Sequence, residues 1–83
     1  MRAPTILALS VLLALGSVAA RADDKAACVE GIAMIRAELA KPAPEAAQPK
    51  LKKALRVAER EQKEGEFDEC LDAVTDARRA LGR

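Results

Sequence analysis

The two cysteines of the sequence, Cys28 and Cys70, are the residues whose type most directly implies chemistry. An even number of cysteines in a small exported chain typically indicates that they pair in disulfides. Both cysteines also fall on the apolar stripes of predicted helices. Three alternatives stay open: a redox pair, a reactive thiol at Cys70, and pairing between chains. The C-x-x-C spacing of redox motifs is absent, and the carboxylates beside Cys70 disfavour a thiolate. We therefore expect a structural Cys28–Cys70 disulfide.

Acidic side chains cluster around the second cysteine, where they could hold a cation. They are Glu64, Glu66, Asp68, Glu69, Asp72 and Asp76. The calcium-loop pattern is missing, and the sequence has no histidine to support zinc, copper or iron. Acidic residues in the first turn of a helix complement its dipole instead. We therefore expect no metal site and no cofactor.

Side chains for catalysis are scarce. Without histidine the chain has no ordinary general base, and Ser10 and Ser17 both lie in the apolar leader described below. Thr75 is the only hydroxyl side chain after residue 22. We therefore expect that the protein is not an enzyme.

Basic side chains gather on one face of the second predicted helix, away from its apolar stripe. They are Lys52, Lys53, Arg56, Arg60 and Lys63. Such a face is either solvated surface or a docking site for an anion, such as a phospholipid head group or an acidic partner. Nucleic acid is not expected, because the chain is expected to be exported and Phe67 is the only aromatic residue available for stacking on bases.

The first 22 residues have the layout of a secretory signal peptide. Arg2 precedes an apolar run from Ile6 to Leu15, and small residues follow it up to Ala22. The run is shorter than the roughly 20 residues of a membrane-spanning helix, although a retained anchor stays an alternative. We expect cleavage after Ala22, or else after Ala20, and a periplasmic or secreted protein.

Residues 23–83 read as a single all-α domain, a small three-helix bundle with one disulfide. The spacing of apolar residues predicts helices over about 24–41, 50–64 and 66–81. A proline-rich linker over 42–49 separates the first two helices. In an up-down-up arrangement the first and third helices run parallel, which brings the two cysteines to the same level.

Two glycines affect how the helices pack. The apolar stripes of the second and third helices would lie on opposite sides of one continuous rod, so Gly65 is expected to make a turn between them; a continuous helix is the alternative. Gly31 falls inside the first helix, where a close approach to another helix would explain it. We expect Phe67, Leu71 and Val74 to contribute to the core.

Residues 51–81 resemble a single, degenerate tetratricopeptide-type helical hairpin. The resemblance is carried by Leu55, Ala58, Gly65, Phe67, Cys70, Leu71, Val74 and Ala77. It implies an antiparallel helix pair with a glycine turn and small residues where the helices meet, and a scaffold of the kind that binds peptides.

These observations predict a non-catalytic protein-interaction or accessory module of the cell envelope, with an envelope protein as its partner. The alternative is an anion- or membrane-surface-binding protein that uses the basic face of the second helix. The sequence indicates neither the identity of the partner nor an oligomeric state.

Overall fold

The computed structural model describes residues 3–83, with side chains from residue 21 onward. It contains three helices, α1 (Ala3–Ala40), α2 (Gln48–Lys63) and α3 (Phe67–Ala80), and no strand within that range. The predicted all-α, three-helix class is therefore confirmed.

The first helix is longer than predicted. It starts at Ala3 rather than near residue 24, because the leader is rich in alanine and leucine, which favour helix, and has no proline after Pro4. The signal-peptide prediction partly falls outside the described part of the chain, which omits residues 1–2 and the side chains of residues 3–20. Among the described residues, no helix combines the length and apolarity needed to cross a membrane.

An ordered turn joins α1 to α2. The backbone N–H groups of Ala47 and Gln48 donate to the Pro44 carbonyl at 2.9 and 3.2 Å, and the Gln48 side chain donates to the Ala43 carbonyl at 3.1 Å. Pro49 lies in the first turn of α2, where no intrahelical partner for its missing N–H is needed. The helix consequently begins two residues earlier than the predicted linker 42–49 allows.

Gly65 separates α2 from α3. Its φ is +75°, its N–H donates to Gln62 at 3.1 Å, and the N–H of Glu66 donates to Glu61 at 2.9 Å. This pair of bonds is a Schellman motif, in which a left-handed residue caps the last carbonyls of a helix. The two helices are therefore separate and antiparallel.

The core is built from small and aliphatic side chains of all three helices and of the turn before α2. Its buried members are Cys28, Ile32, Ile35, Ala47, Leu51, Ala54, Ala58, Cys70, Ala73, Val74 and Ala77. Val74 is thus in the core as predicted, and Phe67 is half-buried against it.

Leu71 is the exception among the predicted core residues, since it is half-buried like Phe67 but does not pack against the core cluster. The buried positions of α3 centre on Cys70, Val74 and Ala77. A step of one residue turns the helix by about 100°, which places Leu71 at the margin of that face.

Gly31 allows α1 and α3 to touch. A Cβ atom at this position would lie 2.5 and 2.7 Å from the two methyl carbons of Val74 and 3.1 Å from its Cβ. Real Cβ atoms essentially never lie closer than 3.0 Å to another heavy atom, so only glycine fits here unless Val74 or the helices move. The close approach considered from the sequence is present.

The first and third helices are joined near both ends of their contact. Cys28 is bonded to Cys70 at one end, and Arg83 Nη2 lies 3.0 Å from Glu38 Oε1 at the other. Residue number rises in the same direction along both helices between these links. The helices therefore run parallel, as the up-down-up arrangement requires.

Candidate functional site

The cysteine pair forms the predicted disulfide. Cys28 and Cys70 have an S–S distance of 2.07 Å and a Cα–Cα distance of 5.8 Å, and both residues are fully buried. Thiol–disulfide exchange requires a thiolate to reach a sulfur atom. Because the folded protein covers both sulfur atoms, the bond acts as a cross-link between α1 and α3.

The acidic residues near Cys70 spread over a turn and a helix rather than converging on a point. Asp68 and Glu69 lie in the first turn of α3, where negative charge complements the helix dipole. Within the part of the chain that the structure describes, no three potential metal ligands come together.

One pair of carboxyl groups does meet across the Gly65 turn. The Glu61 side chain is only 8% exposed, and its Oε1 accepts a hydrogen bond from Arg60 Nε at 3.1 Å. A side-chain hydrogen bond to Glu61 raises the pKa of Glu69, and the charges of Glu61, Glu66 and Asp68 raise it further. Sequence reasoning missed this pair, because its members are eight positions apart and belong to different helices.

The hydroxyl group of Thr75 is used locally. Its Oγ1 donates to the Leu71 carbonyl at 3.0 Å, the bond that a mid-helix threonine commonly makes to the preceding turn.

The predicted basic face exists on α2. All five of its side chains are exposed: Lys52, Lys53, Arg56, Arg60 and Lys63. Arg60 pairs with the Glu61 carboxylate, and the neighbouring Glu59 pairs with Arg36 of α1. Among the salt bridges of the described residues, none involves the other four cations, so this face keeps its positive charge.

A groove of about 350 Å³ runs between α2 and α3. Its lining consists of four apolar residues, Ala54, Val57, Ala73 and Ala80, and four charged residues, Lys50, Lys53, Asp76 and Arg79. No residue of α1 is in that lining. The groove therefore occupies a face of the hairpin that the first helix leaves open.

The groove overlaps the predicted anion-binding residues only at Lys53. Sequence reasoning missed Lys50 and Arg79, because Lys50 lies off the basic stripe and Arg79 belongs to a different helix. Arg79 reaches the groove because of the way α3 packs against α2. The spacing of residues within one helix does not reveal how two helices pack.

Comparison with protein-family models, with curated proteins and with solved structures gives no match.

Proposed function

We propose that the protein is a small exported, non-catalytic helical module of the cell envelope that acts by binding another envelope protein. The observation that carries the proposal is the open groove between α2 and α3, with an apolar floor and a charged rim. Export to an oxidising compartment such as the periplasm is supported by the buried disulfide and by the signal-like leader.

A cross-linked bundle is suited to presenting a fixed surface. The Cys28–Cys70 bond and the Arg83–Glu38 ion pair join α1 to α3, so α1 supports the hairpin from the side away from the groove lining. Such a surface is already ordered before a partner binds, and this preorganisation reduces the entropic cost of association. The likeness of residues 51–81 to a peptide-binding helical hairpin is part of the same proposal.

Two valines allow a matched test inside cells. Val57 lines the groove, whereas Val29 lies on α1 with 49% of its surface exposed. A photo-cross-linking amino acid is placed at either position in the full chain. We expect a discrete protein adduct from position 57 and none from position 29. Absence of an adduct at position 57, or the same adducts from both positions, would contradict the proposal.

Export can be tested separately on the protein purified from the envelope. Mass spectrometry of the intact protein should give a chain that begins at Asp23, or at Arg21 if cleavage follows Ala20. Recovery of the uncleaved chain from the cytoplasm would contradict export.

Binding to an anionic surface through α2 is the second candidate function. The specific observation in its favour is that the five basic side chains are exposed on the side of α2 away from the buried Leu51 and Ala58. Vesicles with and without anionic lipid distinguish it from protein binding. Arg56→Glu with Arg60→Glu should abolish salt-sensitive vesicle binding without loss of helicity; no difference between the vesicles excludes it.

A further inference from the structure

We infer that the groove between α2 and α3 binds a short acidic helix of a partner protein, which seats one large apolar side chain on the groove floor. The inference rests on the proposed interaction function and specifies the chemistry of its partner. Three features of the groove carry it: a floor of small side chains, an excess of positive charge at the rim, and a length of about two helical turns.

The floor of the groove is formed by small side chains, which leave space for a large apolar side chain of a partner. Ala54 and Ala73 are 3% and 4% exposed, so their methyl groups close the bottom of the groove, while Val57 and Ala80 are half-buried beside it. The volume of about 350 Å³ falls within the range of pockets that take up a ligand group. A leucine or phenylalanine side chain would fit within this space and cover part of its apolar floor, which leaves room for the backbone that carries it.

The rim selects negative charge. Lys50, Lys53 and Arg79 lie on it against one carboxylate, Asp76. Arg79 Nη1 lies 4.0 Å from Asp76 Oδ1, and both side chains are largely exposed. This ion pair therefore contributes little to stability and is easily broken when a partner binds. Carboxylates on both sides of an apolar anchor would therefore meet complementary charge, which favours the correct register and speeds association.

The length of the groove favours a helix over an extended strand. Along α2 it reaches from Lys50 to Val57, which corresponds to about 10 Å at 1.5 Å per residue. Both walls are helices, so they offer no sheet edge to which a strand could bond, and a helix packs between two helices through ridges and grooves. The occupant therefore covers the groove with about two turns.

A second copy of this chain is a poor occupant. Val29 is the exposed large hydrophobic residue of the described part of the chain, and it lies on α1, whereas α2 and α3 line the groove. A contact between these two different surfaces would be head-to-tail and would not close into a twofold dimer. We therefore expect a different protein as the occupant.

The test uses the full chain with its disulfide intact and a capped helical peptide that carries leucines on one face and glutamates beside them. Two matched peptides replace the glutamates by glutamine or the leucines by alanine. Two protein variants carry equal changes in net charge: Lys50→Glu with Arg79→Glu at the groove, and Lys52→Glu with Lys63→Glu on the basic face. All four positions are exposed, and circular dichroism verifies the helical content of each variant.

We expect the groove variant to bind the acidic peptide roughly tenfold more weakly, and the control variant to change its affinity by less than about twofold. Both matched peptides should also bind roughly tenfold more weakly to the native chain. Equal losses in the two variants would mean nonspecific charge attraction and would overturn the inference. Binding of either matched peptide as tight as that of the acidic leucine peptide would overturn it as well.

Two other outcomes overturn the inference in different ways. Concentration-dependent self-association that the groove variant abolishes would identify a second copy as the occupant. No binding of the acidic peptide up to about 1 mM would reject the proposed partner chemistry. If position 57 still cross-links a partner in that case, the interaction function stands and only the acidic helix is wrong.

Discussion

At the scale of single residues, Gly31 makes the strongest local demand on the sequence. Glycine within a helix costs about 1 kcal/mol relative to alanine, so helix propensity alone would favour Gly31→Ala. The contact with Val74 opposes this, because the new Cβ would lie 2.5 Å from a methyl carbon of that buried side chain. Overpacking of this kind costs about 1–3 kcal/mol, and we expect Gly31→Ala to lower the free energy of unfolding in urea.

A double-mutant cycle separates this clash from other effects of the substitution. Val74→Ala removes the two methyl groups that the Cβ would meet, at the cost of a smaller core. The Cβ of residue 74 remains 3.1 Å from the added Cβ, so Gly31→Ala in the Val74→Ala background should be less destabilising than in the native chain, with a coupling of about 1–2 kcal/mol. Additivity of the two substitutions would show that the helices do not approach closely at this point.

Glu69 is expected to destabilise the folded protein when it is charged, because its repulsion by Glu61 and other carboxylates outweighs its favourable place in the first turn of α3. Its pKa lies above the usual value of 4.5 because of the hydrogen bond to Glu61 and repulsion by nearby carboxylates. A carboxyl group whose pKa is raised by folding contributes stability below its unfolded pKa, and that contribution is lost as the pH rises through the folded value. Glu69→Gln should therefore increase the urea midpoint at pH 7. This difference should shrink as the pH falls through the raised pKa of Glu69 and should be lost below 4.5.

The exposed Glu64 provides a matched control for this titration. It belongs to the same turn but is not among the groups that raise the pKa of Glu69. Glu64→Gln should leave the pH profile of the urea midpoint close to that of the native chain. A Glu69→Gln profile that runs parallel to the native one across the acid range would contradict the assignment.

At the scale of helices, the turn at Gly65 depends on backbone conformation alone. Its φ is +75°, and a Cβ added there would meet no atom within 4 Å. The left-handed conformation costs other L-residues about 1–2 kcal/mol, and asparagine adopts it more readily. We expect Gly65→Ala to reduce the free energy of unfolding by about 1 kcal/mol and Gly65→Asn to reduce it less, as measured by urea denaturation. Equal losses would indicate steric conflict instead.

The helices illustrate which features could be predicted from sequence. Apolar spacing located α2 and α3 to within two residues at each end, because both are amphipathic and are bounded by proline or glycine. The start of α1 was not predictable in this way, since the leader lacks a polar face that would mark a boundary. The exposure of Leu71 and the set of residues that line the groove depend on how one helix is rotated against another. The apolar stripe of a single helix does not determine that rotation.

At the scale of the whole molecule, small side chains shape both the core and its open face. Five of the buried apolar residues are alanines, at positions 47, 54, 58, 73 and 77. Alanine permits close helix packing but buries little apolar surface, and stability from burial scales with that surface. The same small residues leave the groove unfilled. The high alanine content thus explains both the close packing of the helices and the open groove.

The disulfide is expected to provide much of the stability that this core does not. Cys28 and Cys70 are 42 positions apart, and closing such a loop contributes about 4 kcal/mol in the chain-entropy model. A core in a domain this small supplies only about 3–5 kcal/mol. Cys28→Ala with Cys70→Ala should therefore leave a chain that is largely unfolded or melts far below the native one, as thermal circular dichroism would show.

Reduction of the native chain separates the lost cross-link from the lost side-chain volume. The reduced protein keeps both sulfur atoms in the core, so its loss of stability reports the cross-link, whereas the alanine variant adds the cost of two small cavities. We expect the reduced protein to lose most of the helical signal that the alanine variant loses. If the reduced chain melted as the oxidised chain does, α1 would be held to α3 mainly by the Gly31–Val74 contact and the Glu38–Arg83 ion pair, and the cross-link would not be what fixes the groove.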